Sequence, residues 1–375
     1  MEHKASIPIE LLTTTNQLSA LGSILSHETI IAIDTESDSG HRYPEKVCLI
    51  QIGTSRKVYL IDTLSLEDMK PIGEVLRDPG VIKVIQGADY DIRCLDRQWG
   101  FSIRNVFDTS IAAQFAGVKK FGLSSLTESL LGVHIQKDAR LQRGDWSRRP
   151  LTTEALNYAA TDVWYLPAIH RVLEKQLLAL GRSSWVSEEC SRLEQIRSTP
   201  PDPDSAFLSA KGIGKLDGQA RAVFRRLYTL RESEARRRDR PPHYVLSNES
   251  LVQLASNPAT DLSEIHQLKG DLNGRFGGLV RSALRKGVAD PPITTAGRER
   301  EKAMTPTESG RLQRLKRWRT DQANSLAIEP SLVWPMASLK RLARAPGSLD
   351  VEIESAEVRH WQREQFLEHL SHALA

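Results

Sequence analysis

The chain has 375 residues, 40% of them hydrophobic, with 51 Lys and Arg against 47 Asp and Glu. This length exceeds one typical domain, and the near balance of charge is compatible with nucleic-acid binding without demanding it. Cys48, Cys94 and Cys190 are far apart and lack C-x-x-C spacing, which suggests neither a disulfide framework nor a zinc site. Because the N-terminus does not resemble a signal peptide and no stretch approaches the roughly 20 apolar residues of a membrane span, we expect a soluble, cytoplasmic protein.

The N-terminal half predicts an α/β domain, a mixed sheet flanked by helices. After a helix near 16–25, three β-like segments are joined by connections too short for crossover helices, so they predict an antiparallel meander. Beyond Leu66 helices alternate with short strands, which predicts parallel pairing. The predicted strands are 29–34, 46–54, 57–62, 81–87 and 106–108.

Two Pro-rich or polar stretches, 198–207 and 289–310, have the composition of linkers, and the sequence between and after them is predicted to be helical. Residues 244–258 align without gaps to 332–346, with six identical pairs, at an offset of 88 (Val245 to Val333). This spacing is too long for a solenoid repeat and favours a duplicated helical bundle, with a chance match as the alternative.

The stretch "IAIDTESDSG" places Asp34 and Glu36 at the end of a run that otherwise predicts a buried strand. Residues i and i+2 of a strand project from one face, and two anions on one face repel unless a cation neutralises them. Oxygen ligands of this kind suit Mg²⁺ or Mn²⁺. The alternative is that the two carboxylates begin a solvated loop.

Further carboxylates occur at two other places. Asp91 lies in the first turn of a predicted helix that follows a buried strand, and capping of that helix is the alternative for both Asp91 and Asp89. Tyr158 and Asp162 are four residues apart and share one helix face. The alternative for this pair is a tyrosine packed on the core beside an exposed aspartate.

The order of these motifs, D-x-E on a strand, Asp at a helix start and then Y-x-x-x-D on a later helix, resembles the DEDD family of 3′-5′ exonucleases in its tyrosine-containing branch. The stretch 145–166, "DWSRRPLTTEALNYAATDVWYL", is similar to the ribonuclease D members of that family. The stretch 227–255 resembles an HRDC module, the helicase-and-RNase-D C-terminal domain. The resemblance covers essentially the whole chain.

The resemblance implies a ribonuclease-H-like exonuclease domain over 1–198, a first HRDC bundle over 207–291 and a second, divergent one over 308–375. It implies that two divalent ions, Mg²⁺ or Mn²⁺, are held by four carboxylates and that Tyr158 orients the attacking water. It further implies a 3′-5′ exoribonuclease that trims tRNA precursors and other small structured RNAs to release nucleoside 5′-monophosphates. The four carboxylates are those of Asp34, Glu36, Asp91 and Asp162.

Three positions leave open which residues form the second motif, the aspartate at a helix start. Relatives often have His where this chain has Gln86, which can form hydrogen bonds but cannot titrate near neutral pH. Asp89 and Asp108 are the rival candidates if the alignment at Asp91 has slipped. The sequence "FDTS" favours a helix cap for Asp108.

Basic residues are expected to bind the RNA strand. In the stretch 134–150 they surround Trp146, which either stacks on a base or fills the core. A second basic run lies in 231–244, where a solvated helix face is the alternative. The candidate residues are Lys137, Arg140, Arg143, Trp146, Arg148, Arg149, Arg236, Arg237, Arg238 and Arg240.

Competing hypotheses keep the fold and change the function. One is a 3′-5′ exonuclease acting on single-stranded DNA, and another is a nucleic-acid-binding protein with a silent nuclease fold. The glycine-containing stretch 209–218 does not fit a phosphate-binding loop, since Leu216 stands where Ser or Thr is required. We expect RNA as the partner, no membrane and no obligate protein partner. Deleting 207–375 is expected to leave cleavage of short unstructured RNA largely intact.

Overall fold

The computed structural model describes residues 7–136, 138–200, 202–294 and 302–374. These residues form two compact units. The sheet unit contains the described residues up to Glu36, then Val47–Ser198 and those from Lys302 onward, whereas the helical unit contains Ser37–Lys46 and the described residues between Thr199 and 294. In these ranges no helix combines the length and apolar composition needed to cross a membrane.

A mixed six-stranded sheet in the order β1-β4-β3-β2-β5-β6 forms the centre of the sheet unit. β3 and β4 pair antiparallel, whereas β1 with β4, β2 with β5, and β5 with β6 pair parallel. The predicted mixed sheet is confirmed. β1 was not predicted, because its four residues are only partly buried and carry little period-two pattern. The strands are β1 (Ile9–Leu12), β2 (Ile30–Ser37), β3 (Val47–Gly53), β4 (Val58–Asp62), β5 (Ile82–Ile85) and β6 (Val106–Asp108).

Helices surround this sheet, and side-chain caps fix the starts of several of them. Thr14 and Gln17 form a capping box at the first helix, and the carboxylate of Asp108 accepts from the backbone amides of Ser110 and Ile111 at the fourth. The helices are α1 (Thr15–Leu25), α2 (Lys70–Arg77), α3 (Asp89–Trp99), α4 (Thr109–Phe115), α5 (Leu123–Leu131), α6 (Ala139–Gln142), α7 (Thr153–Trp164), α8 (Leu166–Ala179) and α9 (Ser183–Leu193).

The C-terminal part of the chain contains two helical bundles of the same construction. The first has α10 (Gly218–Arg238), α11 (Pro242–Val245), α12 (Asn248–Ser256) and α13 (Arg275–Ala289). The second has α14 (Pro306–Leu326), α15 (Pro330–Val333), α16 (Met336–Arg344), α17 (Leu349–Ile353) and α18 (His360–Leu374).

The first three helices of the two bundles repeat at the offset seen in the sequence. α10 and α14 both have 21 residues, α11 and α15 four, and α12 and α16 nine, and each pair begins 88 residues apart (Gly218 to Pro306). Even the left-handed residues that end the long helices correspond, with φ 50° at Asp239 and 52° at Ala327. The predicted duplication of a helical bundle is therefore confirmed.

The second bundle differs from the expected separate domain, because it shares one apolar core with the sheet unit. Trp361 of α18 stacks on Trp185 of α9 with ring centroids 4.7 Å apart, and it forms a T-shaped pair with Phe115 at 5.2 Å. The guanidinium of Arg182 donates to the carbonyls of Phe115 and Leu326, at 2.7 Å in each case. The sequence did not predict this arrangement, because the contacts join positions far apart in the chain.

The connection between β2 and β3, Ser37–Lys46, packs instead with the first bundle in the helical unit. Arg42 forms an ion pair of 3.0 Å with Asp239, and the phenol of Tyr43 donates to Glu232. The Arg236 guanidinium lies 5.2 Å from the centre of the Tyr43 ring. Tyr43 thus joins the apolar core of the helical unit.

Candidate active site

The sequence-predicted carboxylates come from three elements that meet at one edge of the sheet. Asp34 directly follows Ile33, which is paired in β2 with Ile85 of the neighbouring parallel strand β5. β5 leads into α3, and Asp91 lies in the first turn of that helix. Adjacent parallel strands lie about 4.8 Å apart and end at the same edge, so β2 and α3 present their carboxylates together. Glu36 lies further along β2, and Asp162 comes from α7.

The electrostatics of these four groups indicate that they lie close to one another. Burial raises the pKa of Asp34 well above its usual range, and the charges of Asp91, Asp162 and Glu36 raise it further. Burial together with the charges of Asp162 and Asp91 raises the pKa of Glu36 to about 9. Burial raises the pKa of Asp91 to about 6 and that of Asp162 to about 7. Such mutual repulsion is what a bound cation would relieve.

The donor set fits a hard divalent ion, since it consists of carboxylate oxygens. Asp91 is buried, with 5% of its surface exposed, whereas the other three carboxylates are partly exposed and Asp162 lines a cavity. Within the described ranges no group of three or more His, Cys, Asp or Glu side chains is arranged so that it could already hold a metal ion. The fit to metal therefore rests on the charge and placement of the carboxylates.

Tyr158 lies on the same face of α7 as Asp162, as the four-residue spacing predicts. Burial, with the charges of Asp162, Glu36 and Asp34, raises its pKa above the usual tyrosine range. Its phenol is therefore protonated at neutral pH and can donate a hydrogen bond. Tyr158 and Asp162 line a cavity of about 790 Å³ whose wall also includes Arg140 and Asn157.

The rival aspartates have structural partners. Asp89 is 56% exposed and pairs with Arg93 at 2.7 Å. Asp108 caps α4 and also accepts from the backbone amide of Ala88 at 2.7 Å, which confirms the predicted cap. Asp91, in contrast, is the aspartate that contributes to the cluster.

Two polar residues lie beside the cluster. The sequence did not identify Thr35 as a functional candidate, and it left the role of Gln86 open. Thr35, which separates Asp34 from Glu36, donates its hydroxyl to Asp91 Oδ1 at 2.5 Å. The Gln86 amide donates to the carbonyl of Phe121 at 2.8 Å and accepts from the Thr109 hydroxyl at 2.6 Å. The position of Thr35 inside the D-x-E motif was the available signal for its role.

The structure contradicts two of the predicted RNA contacts. Trp146 is 4% exposed and packs against Tyr158 with ring centroids 6.2 Å apart, so it fills the core and cannot stack on a base. All five N–H donors of Arg149 are used within the fold, by Asp62 and by the carbonyls of Cys48, Trp146 and Arg148. No donor of Arg149 is left for a phosphate.

The other basic candidates remain compatible with RNA binding. Arg140 and Arg148 are 80% and 83% exposed, and Arg143 is exposed as well. Lys137 lies outside the described residues. In the second run, Arg237 and Arg238 pair with the almost fully buried Glu234, while Arg236 stacks on Tyr43. Arg240 is exposed. Part of this run therefore stabilises the helical unit.

Comparisons with known proteins match both the sheet-containing and the helical parts of the chain. A model of 3′-5′ exonucleases matches residues 9–178, and an HRDC model matches 220–273. Ribonuclease D of Granulibacter bethesdensis is 31% identical over 95% of this chain and 90% of its own length. The crystal structure of Escherichia coli RNase D, described as an exoribonuclease involved in structured RNA processing, covers 98% of this chain and 99% of its own at TM-score 0.72 and 24% identity. The catalytic core of RRP6 from Trypanosoma brucei covers 76% of this chain and 79% of its own at TM-score 0.64 and 28% identity.

The fold and its clustered carboxylates thus define a 3′-5′ exonuclease, a class that depends on divalent metal ions. The chain belongs to the ribonuclease D family and is a 3′-5′ exoribonuclease. The predicted ribonuclease-H-like fold and the HRDC bundle are confirmed.

Proposed function

We propose that Asp34, Glu36, Asp91 and Asp162 hold two divalent ions, Mg²⁺ or Mn²⁺, and that the enzyme removes nucleotides from the 3′ ends of tRNA precursors and other small structured RNAs. The observation that carries this proposal is the convergence of four carboxylates from β2, α3 and α7, each with a raised pKa. Carboxylates that lie close together repel one another, and such an arrangement is expected where a multivalent cation binds and relieves the repulsion.

When bound, two divalent ions lower the pKa of a water and stabilise the charge of the departing 3′ oxygen. The protein residues orient the reacting groups. Tyr158, protonated and on the cavity wall, donates a hydrogen bond that positions the water or the scissile phosphate. Thr35 fixes the carboxylate of Asp91. The products are nucleoside 5′-monophosphates, released one at a time.

The substrate proposal is supported by the relatives and by the open cavity. The E. coli relative is described as acting in structured RNA processing. The cavity beside Tyr158 and Asp162 is large enough for a nucleotide, and the exposed Arg140 on its wall supplies positive charge for a phosphate. We propose that the two HRDC-type bundles, the second divergent over 308–375, hold the folded part of the RNA.

The test uses a 5′-labelled RNA with a tRNA-like stem and a short 3′ tail, incubated with Mg²⁺, with Mn²⁺ or with a chelator. We expect a metal-dependent ladder that shortens from the 3′ end and is abolished in Asp34→Asn and Asp162→Asn. Asp89→Asn is the matched control, since this carboxylate lies two residues before Asp91 but is exposed and paired with Arg93.

Each alternative outcome is informative. Equal turnover in Asp162→Asn would exclude the proposed site, and an equal loss in Asp89→Asn would mean that the effect is one of surface charge. A matched DNA oligonucleotide degraded in preference to RNA would shift the substrate to DNA. Intact RNA under every condition, with binding demonstrated, would indicate a silent nuclease fold.

A further inference from the structure

Within the connection between α4 and α5, residues 117–122 present two cations and an aromatic ring to solvent. Lys119 and Lys120 are exposed, and among the described residues neither forms an ion pair. Phe121 is 37% exposed and is not part of the apolar core. Together these side chains offer two cations for phosphate groups and an aromatic face for a base, which is the chemistry of single-strand binding.

This segment, called the Lys-Phe loop below, lies next to the carboxylate cluster. Gln86 directly follows Ile85, the strand partner of Ile33, and Asp34 follows Ile33 within β2, so the two residues lie on neighbouring strands where β5 ends. The Gln86 amide binds the carbonyl of Phe121. On its other side the loop runs into α5, whose first residues, Leu123 and Ser124, line the cavity that contains Tyr158 and Asp162.

We infer that the Lys-Phe loop binds the single-stranded 3′ segment of the RNA substrate and guides it into the cavity. The inference rests on the proposed function. Lys119 and Lys120 neutralise phosphates upstream of the scissile bond, and the Phe121 ring stacks on a base. These contacts do not distinguish one base from another, so the loop can bind the unrelated 3′ tails that the enzyme is proposed to trim. The loop is continuous with the cavity wall, so the strand stays in contact with protein up to the carboxylates.

Gln86 positions this loop. Its amide donates to the Phe121 carbonyl and accepts from the Thr109 hydroxyl at the start of α4, so it ties the loop to the end of β5. An amide supplies both a donor and an acceptor in one group, whereas a neutral imidazole would offer one of each from opposite sides of its ring. Gln86 thus acts on RNA through Phe121.

The experiment compares two substrates, a ten-nucleotide unstructured RNA and a dinucleotide that reaches only the cavity. For Lys119→Glu/Lys120→Glu and for Phe121→Ala we expect the ratio of kcat/KM on the long RNA to kcat/KM on the dinucleotide to fall about tenfold, the scale of one base stack or two phosphate contacts. The lysine variant should also flatten the slope of log affinity against log salt by about 1.4, since single strands give about 0.7 per phosphate. Phe121→Trp should restore the ratio.

A double substitution on α2, Lys70→Glu/Arg77→Glu, is the matched charge control, because these residues belong to the same compact unit and line no part of the cavity. An unchanged ratio in both loop variants, or an equal fall in the control, would overturn the inference. Wild-type enzyme that cleaves neither substrate would instead overturn the proposed function. For Gln86→Ala we expect the same selective loss, without further loss when it is combined with Phe121→Ala. Full additivity in that double variant would refute the positioning role.

Discussion

Thr35 Oγ1 lies 2.5 Å from Asp91 Oδ1, so the residue between the two carboxylates of β2 holds the carboxylate at the start of α3. This hydrogen bond joins two of the three elements that build the cluster, and both residues are buried. A carboxylate that must coordinate metal with a defined orientation gains from such a partner, because the remaining oxygen is then directed toward the site.

We expect Thr35→Val to lower turnover about tenfold or more and to raise the metal concentration needed for half-maximal activity, as losses of metal-site partners typically do. Thr35→Ser keeps the hydroxyl and should retain most activity. Metal titrations of mononucleotide release from both variants check this. Equal behaviour of the valine and serine variants would show that the hydroxyl has no such role.

The raised carboxylate pKa values predict how stability without metal depends on pH. Glu36 and Asp162 have folded pKa values of about 9 and 7, against ordinary values near 4, so the folded state binds more protons than the unfolded state between these limits. The free energy of unfolding should therefore fall as pH rises from about 4 to 9. Thermal melts in a chelator should show a Tm that decreases over this range.

Added divalent ion should raise Tm most at the high end of this range, because the ion displaces protons from the carboxylates. The double variant Asp34→Asn/Glu36→Gln provides the control, since two of the four groups then no longer titrate. We expect the variant to lose a large part of the pH slope. A slope identical to that of the wild type would locate the linked protons elsewhere.

Two neighbouring arginines should separate folding from RNA binding. Arg149→Met leaves Asp62, whose side chain is 4% exposed, without its bidentate partner, and breaking such a pair costs about 3–5 kcal/mol. A Tm lower by about 10 °C is expected. Arg148→Ala, at an 83% exposed side chain, should leave Tm nearly unchanged and weaken RNA binding with a smaller salt dependence. The reverse pattern would restore Arg149 as the RNA contact.

The shared core of the second bundle revises the expected effect of deleting 207–375. Removal of that stretch also removes Trp361, and with it the cover of Trp185 and Phe115, so cleavage of short RNA should be lost together with cleavage of structured RNA. Trp361→Ala is the milder test and should cost about 3–5 kcal/mol of unfolding free energy. Val351→Ala, at a 73% exposed position of α17, is the control. Full activity of the deletion on short RNA would contradict this revision.

The sequence predicted those parts of the candidate site in which the residues are close together in the chain. Asp34 with Glu36 and Tyr158 with Asp162 share faces because of strand and helix periods, which residue spacing records directly. The burial of Trp146 and the hydrogen bonding of Arg149 could not be predicted from the sequence. Their partners Tyr158, Asp62 and Cys48 belong to other parts of the fold. The repeat was visible as an offset, whereas the sequence held no signal that its second copy would share a core with the sheet.

The shared core also affects how the enzyme folds during its synthesis. Glu189 and Trp361, whose side chains are hydrogen-bonded at 3.2 Å, are 172 positions apart. A ribosome makes the strands and the acidic residues early, then a whole bundle, and only afterwards the helix that covers Phe115 and Trp185. The growing polypeptide therefore carries an uncovered aromatic surface while the residues between Glu189 and Trp361 are made, and the apolar core of the nuclease is completed only after α18 has been synthesised.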